Sequence, residues 1–151
     1  MRQCTLFCRR DDPPGILKVT TECLHADLAI DGLSEDWSAI IVTNGDYQIR
    51  LVRTRRVAAG DKLSKTLLGM VNWLQRIATP NPRATPVAVQ RVLGTKAMIG
   101  LTGTPELSEE RGHFDYIFAL AASLDALVWN GTALLTPEGD LLVNAIGESE
   151  I

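Results

Sequence analysis

Residues 37–54 read WSAIIVTNGDYQIRLVRT, two β-rich runs on either side of Asn44-Gly45. Asn-Gly is the preferred centre of a type I′ hairpin, because both residues tolerate positive φ. A two-residue turn there sets Thr43 opposite Asp46, Val42 opposite Tyr47 and Ile40 opposite Ile49. Opposed residues share a face, so Ile40, Val42, Tyr47, Ile49 and Leu51 form one apolar face. Gln48 and Arg50 fall on the other, which is at least partly wet. A hairpin apolar on one side needs a cover, and this demand narrows the chain to a layered fold.

Two segments can supply the cover. In DKLSKTLLGMVNWLQRI (61–77), Leu63, Leu67, Met70, Leu74 and Ile77 recur at helical steps, and Asp61 suits the N-cap. TPELSEERGHFDYIFALAASLDAL (104–127) is the second long helix. Thr104-Pro105 or Ser108 could cap it, although Gly112 favours a start after that residue. Phe114, Ile117, Phe118, Ala121 and Leu124 form its apolar stripe.

The remaining elements are shorter. QCTLFC (3–8) reads as a strand, and Pro13 and Pro14 in DDPPG break the chain after it. ILKVTTECLH (16–25) reads as a short helix on Ile16, Val19 and Cys23, and ADLAIDG (26–32) as a strand ending at a turn. ATPNPRATP (78–86) ends the first long helix with prolines. Thr85 then caps a short helix with Pro86 at its first position. Residues 96–103 read as a buried strand, and the last strands flank a turn at Pro137–Asp140.

Together these predict a single α+β domain over residues 1–151. Its mostly antiparallel sheet contains the 38–54 hairpin, the 96–102 strand and the C-terminal strands, with the two long helices packed on one face. Residues 96–134 form a β-α-β unit if Val128–Trp129 pairs parallel with 97–101.

Composition removes several functions. The 151 residues carry a net charge of -3, so no overall field draws in nucleic acid. No apolar run reaches the roughly 18 residues of a membrane span, and MRQCTLFCRR is too short in apolar residues for a signal peptide. A cytoplasmic location and no membrane partner are expected. Three cysteines make a poor disulfide framework. Cys4 and Cys8 have only His25 and His113 as nitrogen partners for zinc, so no metal is expected and buried thiols are. GLTGTP (100–105) lacks the phosphate-loop lysine and the full G-x-G-x-x-G spacing, and no hydrolase or zinc-protease motif occurs. No cofactor is expected.

Two clusters are left as candidate ligand-binding residues. GHFDYIFAL (112–120) holds His113, Asp115 and Tyr116. Residues two apart on a helix lie nearly opposite, so His113 and Asp115 cannot pair, whereas His113 and Tyr116 share a side. His113 would act only with groups from elsewhere in the chain. RLVRTRR (50–56) holds Arg50, Arg53, Arg55 and Arg56. Strand alternation sends Arg50 and Arg56 one way and Arg53 and Arg55 the other, so no single arginine face forms.

Residues 60–77 and 114–143, with MIGLTGTPELSEE (98–110) between them, resemble the N-terminal region of an uncharacterised bacterial family of unknown function. That resemblance implies no activity, cofactor or catalytic residue. Longer members of the family continue into a further domain, so the chain looks like that module standing alone, or like a piece cut from a longer chain. The leading expectation is a non-enzymatic binding or assembly module with a protein partner or self-association. The alternative is a small-molecule enzyme or ligand sensor built from His113, Tyr116 and Arg53. Anion or nucleic-acid binding through Arg50–Arg56 ranks third.

Overall fold

The first strand, β1 (Gln3–Cys8), points Cys4, Leu6 and Cys8 into one core and Phe7 into another. A strand apolar on both sides belongs in the middle of a sheet, and β1 lies there in the computed structural model of the protein. The structure describes residues 3–32, 36–55, 60–76 and 83–144. Ile77, residues 78–82, Arg56 and the tail 147–151 lie outside them.

After β1 come α1 (Pro13–Cys23), β2 (Asp27–Asp31), β3 (Ala39–Asn44) and β4 (Tyr47–Arg55). Then follow α2 (Lys62–Arg76), α3 (Ala84–Leu93), β5 (Ala97–Thr104), a 3-10 turn at Glu109–Arg111 and α4 (His113–Ser123). The chain closes with β6 (Ala126–Trp129), β7 (Ala133–Leu135) and β8 (Leu141–Asn144). The eight strands form one sheet in the order β2-β3-β4-β5-β1-β6-β7-β8. Every pairing is antiparallel.

The α+β class and the antiparallel sheet are as expected, but the placement of the long helices is not. Tyr116, Ile117 and Leu120 of α4 join Ile16 and Val19 of α1 over Leu6, Ile40, Ile49 and Leu101. Leu63, Leu67 and Leu74 of α2 join Ala88 and Val92 of α3 over Phe7, Leu127 and Leu134. The helices therefore pair off on opposite faces, because the middle strands are apolar on both sides. The β-α-β expectation is also corrected. β6 pairs antiparallel with β1 at Leu6↔Val128, so β1 separates β5 from β6. The unit β5-α4-β6 is thus a split crossover.

The hairpin keeps its predicted faces with a different turn. Asn44 pairs with Tyr47, Val42 with Ile49 and Ile40 with Leu51, leaving Gly45 and Asp46 in the turn. Neither turn residue has positive φ, so the turn is not type I′. The side chain of Asn44 accounts for the change. Its Oδ1 accepts the Asp46 N–H at 3.2 Å, and its Nδ2 donates to the His25 carbonyl at 3.0 Å. Moving the turn by one residue shifts the pairing by two, which preserves the faces.

Helix ends follow local chemistry. Pro13 and Pro14 open α1 rather than break the chain, since the first helical N–H groups need no helical partner. Asp12 caps α1, accepting the Gly15 N–H at 3.0 Å. Asp61 caps α2 as expected, accepting the Ser64 N–H at 2.9 Å. α3 starts at Ala84, ahead of the expected Thr85 cap. The GLTGTP stretch does not form a phosphate loop, because β5 runs through it to Thr104.

Candidate functional site

α4 begins just after the 3-10 turn, with Gly112 in the left-handed region at φ 75°. Glycine carries no steric penalty there, and the bend turns the His113 ring into the core, where it is fully buried. The Ser108 N–H donates to His113 Nδ1 at 2.9 Å, and the His113 N–H donates back to the Ser108 carbonyl at 3.2 Å. An Nδ1 that accepts leaves the proton of the neutral ring on Nε2. Nε2 has no hydrogen-bond partner. The Tyr47 ring stands against the imidazole, 4.5 Å between centroids and 74° between planes. Burial, and then the charge of Arg111, push the His113 pKa down and keep the ring neutral.

Tyr116 occupies the same side of α4, as the helical spacing predicts, and is completely buried. Its hydroxyl lies 2.8 Å from Thr20 Oγ1, which also donates to the Ile16 carbonyl at 2.7 Å. Threonine has one hydroxyl hydrogen, so Tyr116 is the donor in the pair. Burial raises the phenol pKa well above its ordinary value, and nearby Cys23 and Tyr47 add to it. Tyr116 is therefore a clasp between α1 and α4. Phe114 and Phe118, expected in the central stripe, flank it half-buried, while Asp115 is exposed.

A shallow groove of about 280 Å³ lies next to Tyr47, lined also by Cys23, His25 and Arg111. A second hollow, about 340 Å³, shares its His25 and Asn44. Structure thus gathers groups from α1, the β3–β4 turn and the 3-10 turn near His113. It does not bring His113, Tyr116 and Arg53 to one place. Tyr47, His25 and Arg111 were missed because nothing in their local sequence marks them; only the turn and the Ser108–His113 exchange bring them together.

The arginines diverge as strand alternation requires. Arg50 is exposed opposite Ile41 and Thr102. The Arg53 side chain, 4% exposed, meets Asp11 Oδ2 at 2.6 Å and donates to the Trp37 carbonyl at 2.9 Å. Its guanidinium lies 4.6 Å from the centroid of the Trp37 ring, and the Trp37 indole N–H donates to the Asp11 carbonyl at 3.1 Å. Arg53 is a structural staple. Arg55 meets exposed Asp36 at 2.8 Å.

Cys4 and Cys8 are buried free thiols. Burial pushes the Cys4 pKa up to about 12, and Cys8 is raised further by burial, Asp11 and Cys4. Cys23, expected on the buried side of α1, is exposed at its end. Among the described residues no three His, Cys, Asp or Glu side chains are placed to hold a metal ion, and no helix is long and apolar enough to cross a membrane.

At the other end of the sheet, a pocket of about 390 Å³ is lined by Asp11, Arg55 and Leu93–Lys96. Thr95 is 1% exposed and its Oγ1 has no hydrogen-bond partner. A buried hydroxyl left unpaired costs about 1–3 kcal/mol. Sequence reasoning ended the short helix at Gly94 and began the strand at Lys96, passing over Thr95 between them.

No protein-family model matches the chain. No curated protein and no solved structure matches it either.

Proposed function

We propose that the protein is a non-enzymatic binding or assembly module whose working surface is the open half of the sheet. One observation carries this reading. α2 and α3 pack over β1, β6, β7 and β8 and reach Met98 of β5 and part of β4, while on the same face Ala29, Arg50, Val52 and Thr102 of β2 to β5 are exposed. The partner is a second copy. Asp27 and Asp31 share this face with Arg50, since Asp27 pairs with Thr43 and Asp31 with Ala39, residues on the Ile41 side of β3. Arg50 lies two strands, roughly 10 Å, from that acidic edge. A two-fold arrangement sets Arg50 of each copy against the Asp27–Asp31 edge of the other. Few strands of width make a patch at the small end of the ~800 Å² per partner of stable complexes, so the association is reversible. Sedimentation velocity over a concentration series tests it. Weight-average mass should rise with concentration, Arg50→Glu should suppress the rise, and Arg50→Asp with Asp31→Arg should restore it. A monomer at every concentration would sink the reading.

A second reading, a small-molecule sensor or enzyme at the His113 end, is favoured by the unpartnered Nε2 behind Tyr47. Tyr47→Ala widens the approach to His113. A library of small polar compounds that leaves the melting temperature of wild type and variant unchanged would remove it.

A further inference from the structure

We infer that the exchange of hydrogen bonds between Ser108 and His113 is an acid-sensitive latch: one proton on the His113 ring releases the 105–112 connection between β5 and α4. Leu107 and Ser108 anchor that connection. Leu107 is buried and lies against the end of β5, where a Cβ at Gly103 would stand 3.0 Å from its N and 3.2 Å from its side chain. The Ser108 N–H donates to His113 Nδ1 at 2.9 Å. The Ser108 carbonyl accepts the N–H groups of Arg111 at 3.3 Å and His113 at 3.2 Å. The 3-10 turn itself adds little, since none of its residues is buried and Ser108 gives it no side-chain cap.

The chemistry of imidazole makes this anchor a switch. An Nδ1 that accepts carries no proton, whereas an imidazolium donates from both nitrogens. Protonation therefore sets one donor against another at Ser108, and the bond does not survive it. Nε2 offers no second arrangement, because it has no hydrogen-bond partner to exchange. Tyr47 presents its ring at 4.5 Å, a contact that attracts a cation but does not replace the Ser108 bond. The His113 ring is fully enclosed. A proton from solvent thus reaches Nδ1 only as Ser108 lets go, and water then takes the freed N–H.

The charges around the ring set the direction. Arg111, on the 3-10 turn, opposes an imidazolium. Asp46 and Tyr47 of the hairpin, with Cys23 and His25 at the end of α1, line the adjoining groove together with Arg111. The carboxylates of Glu106, Glu109, Glu110 and Asp115 are on exposed residues, where solvent and salt screen them. Burial and Arg111 hold the pKa of the closed His113 below its ordinary value, so the opened ring takes up its proton first. The closed state is complete above about pH 6.5 and weakens as pH falls from there through the closed-state pKa. Its ratio to the open state drops by up to about tenfold per pH unit, the limit for one proton.

The test is an NMR titration of the whole chain from about pH 8 to about pH 5, following the histidine rings and the backbone amides. His25→Gln leaves His113 as the single histidine. The Ser108, Arg111 and Gly112 amides should shift with the midpoint of the His113 ring, below about pH 6.5, while the amides of β1 and α2 stay in place. Arg111→Gln, a change at an exposed residue, should raise that midpoint. His113→Gln, which offers a carbonyl oxygen that does not titrate, should flatten the Ser108 response. If His113→Gln does not fold, Arg111→Gln decides, because it leaves every atom of the latch in place. Three results would each overturn the inference: a ring that titrates while the Ser108 amide stays still, a midpoint that Arg111→Gln leaves unmoved, or proton uptake that unfolds β1 and α2 together with the connection.

Discussion

The hydroxyl pair between α1 and α4 allows a sharp test of whether Tyr116 is structural. Tyr116 donates to Thr20, and Thr20 donates to Ile16. The two deletions are therefore unequal. Tyr116→Phe removes one bond but leaves Thr20 still donating to a carbonyl, so the expected cost is about 1 kcal/mol, the net worth of an ordinary hydrogen bond. Thr20→Val leaves the Tyr116 O–H completely buried with nothing to accept it. Its cost should fall in the range of about 1–3 kcal/mol for an orphaned buried polar group, near the upper end. The double variant Thr20→Val, Tyr116→Phe leaves no orphaned donor, so it should cost less than the sum of the singles by roughly 1 kcal/mol or more. Urea denaturation of the four proteins measures these differences from midpoints at constant slope. Costs that simply add, or a Thr20→Val variant more stable than Tyr116→Phe, would refute the assigned bond direction and with it the clasp.

Three further outcomes follow from other contacts. Cys4 is raised from 9.0 to about 12 and Cys8 is raised too, so the unfolded chain ionises first: their contribution is intact below pH 9 and is lost as pH climbs above it. Each thiol removes about 1.4 kcal/mol per pH unit in that window, and Cys4→Ala should lessen the fall of urea midpoint with pH between 9 and 11 without removing it, because Cys8 and the Tyr116 phenol are raised as well. Arg53→Ala should cost about 2–3 kcal/mol, because it strands Asp11 and the Trp37 carbonyl; Arg53→Lys should recover little of this, since lysine lacks the planar fork, and Trp37 fluorescence reports the local change. Gly69 in α2 has open space where a Cβ would go, whereas a Cβ at Gly103 would stand 2.9 Å from the Pro105 carbonyl. Thermal melting should show Gly69→Ala gaining about 0.5–1 kcal/mol and Gly103→Ala losing stability.

Legibility in the sequence tracked how local each cause was. The apolar hairpin face of Ile40, Val42, Ile49 and Leu51 could be read because alternation survives an even shift of register. The turn could not, since the Asn44 side chain is committed partly to His25, which lies 19 residues away. Helix existence was readable from Leu63, Leu67 and Leu74. Which sheet face each helix covers was not, although QCTLFC carried the clue: a run with Leu6 and Phe7 both apolar does not alternate, and such a strand needs helices on both sides. At the candidate site, the shared side of His113 and Tyr116 followed from spacing alone. Their partners Tyr47 and Thr20 come from other elements, and the Thr95 pocket joins residues 11, 55 and 96, a grouping that only the finished sheet creates.

The central position of β1 has a consequence for how the chain is made. The earliest described strand has both hydrogen-bonding edges taken by β5 and β6, which begin only at Ala97 and Ala126. During synthesis it must wait, apolar on both sides, until residues 97–129 emerge. Such distant closure slows folding and leaves nascent β1 exposed to aggregation, so the lag between synthesis of β1 and a finished sheet is set by topology rather than by local propensity.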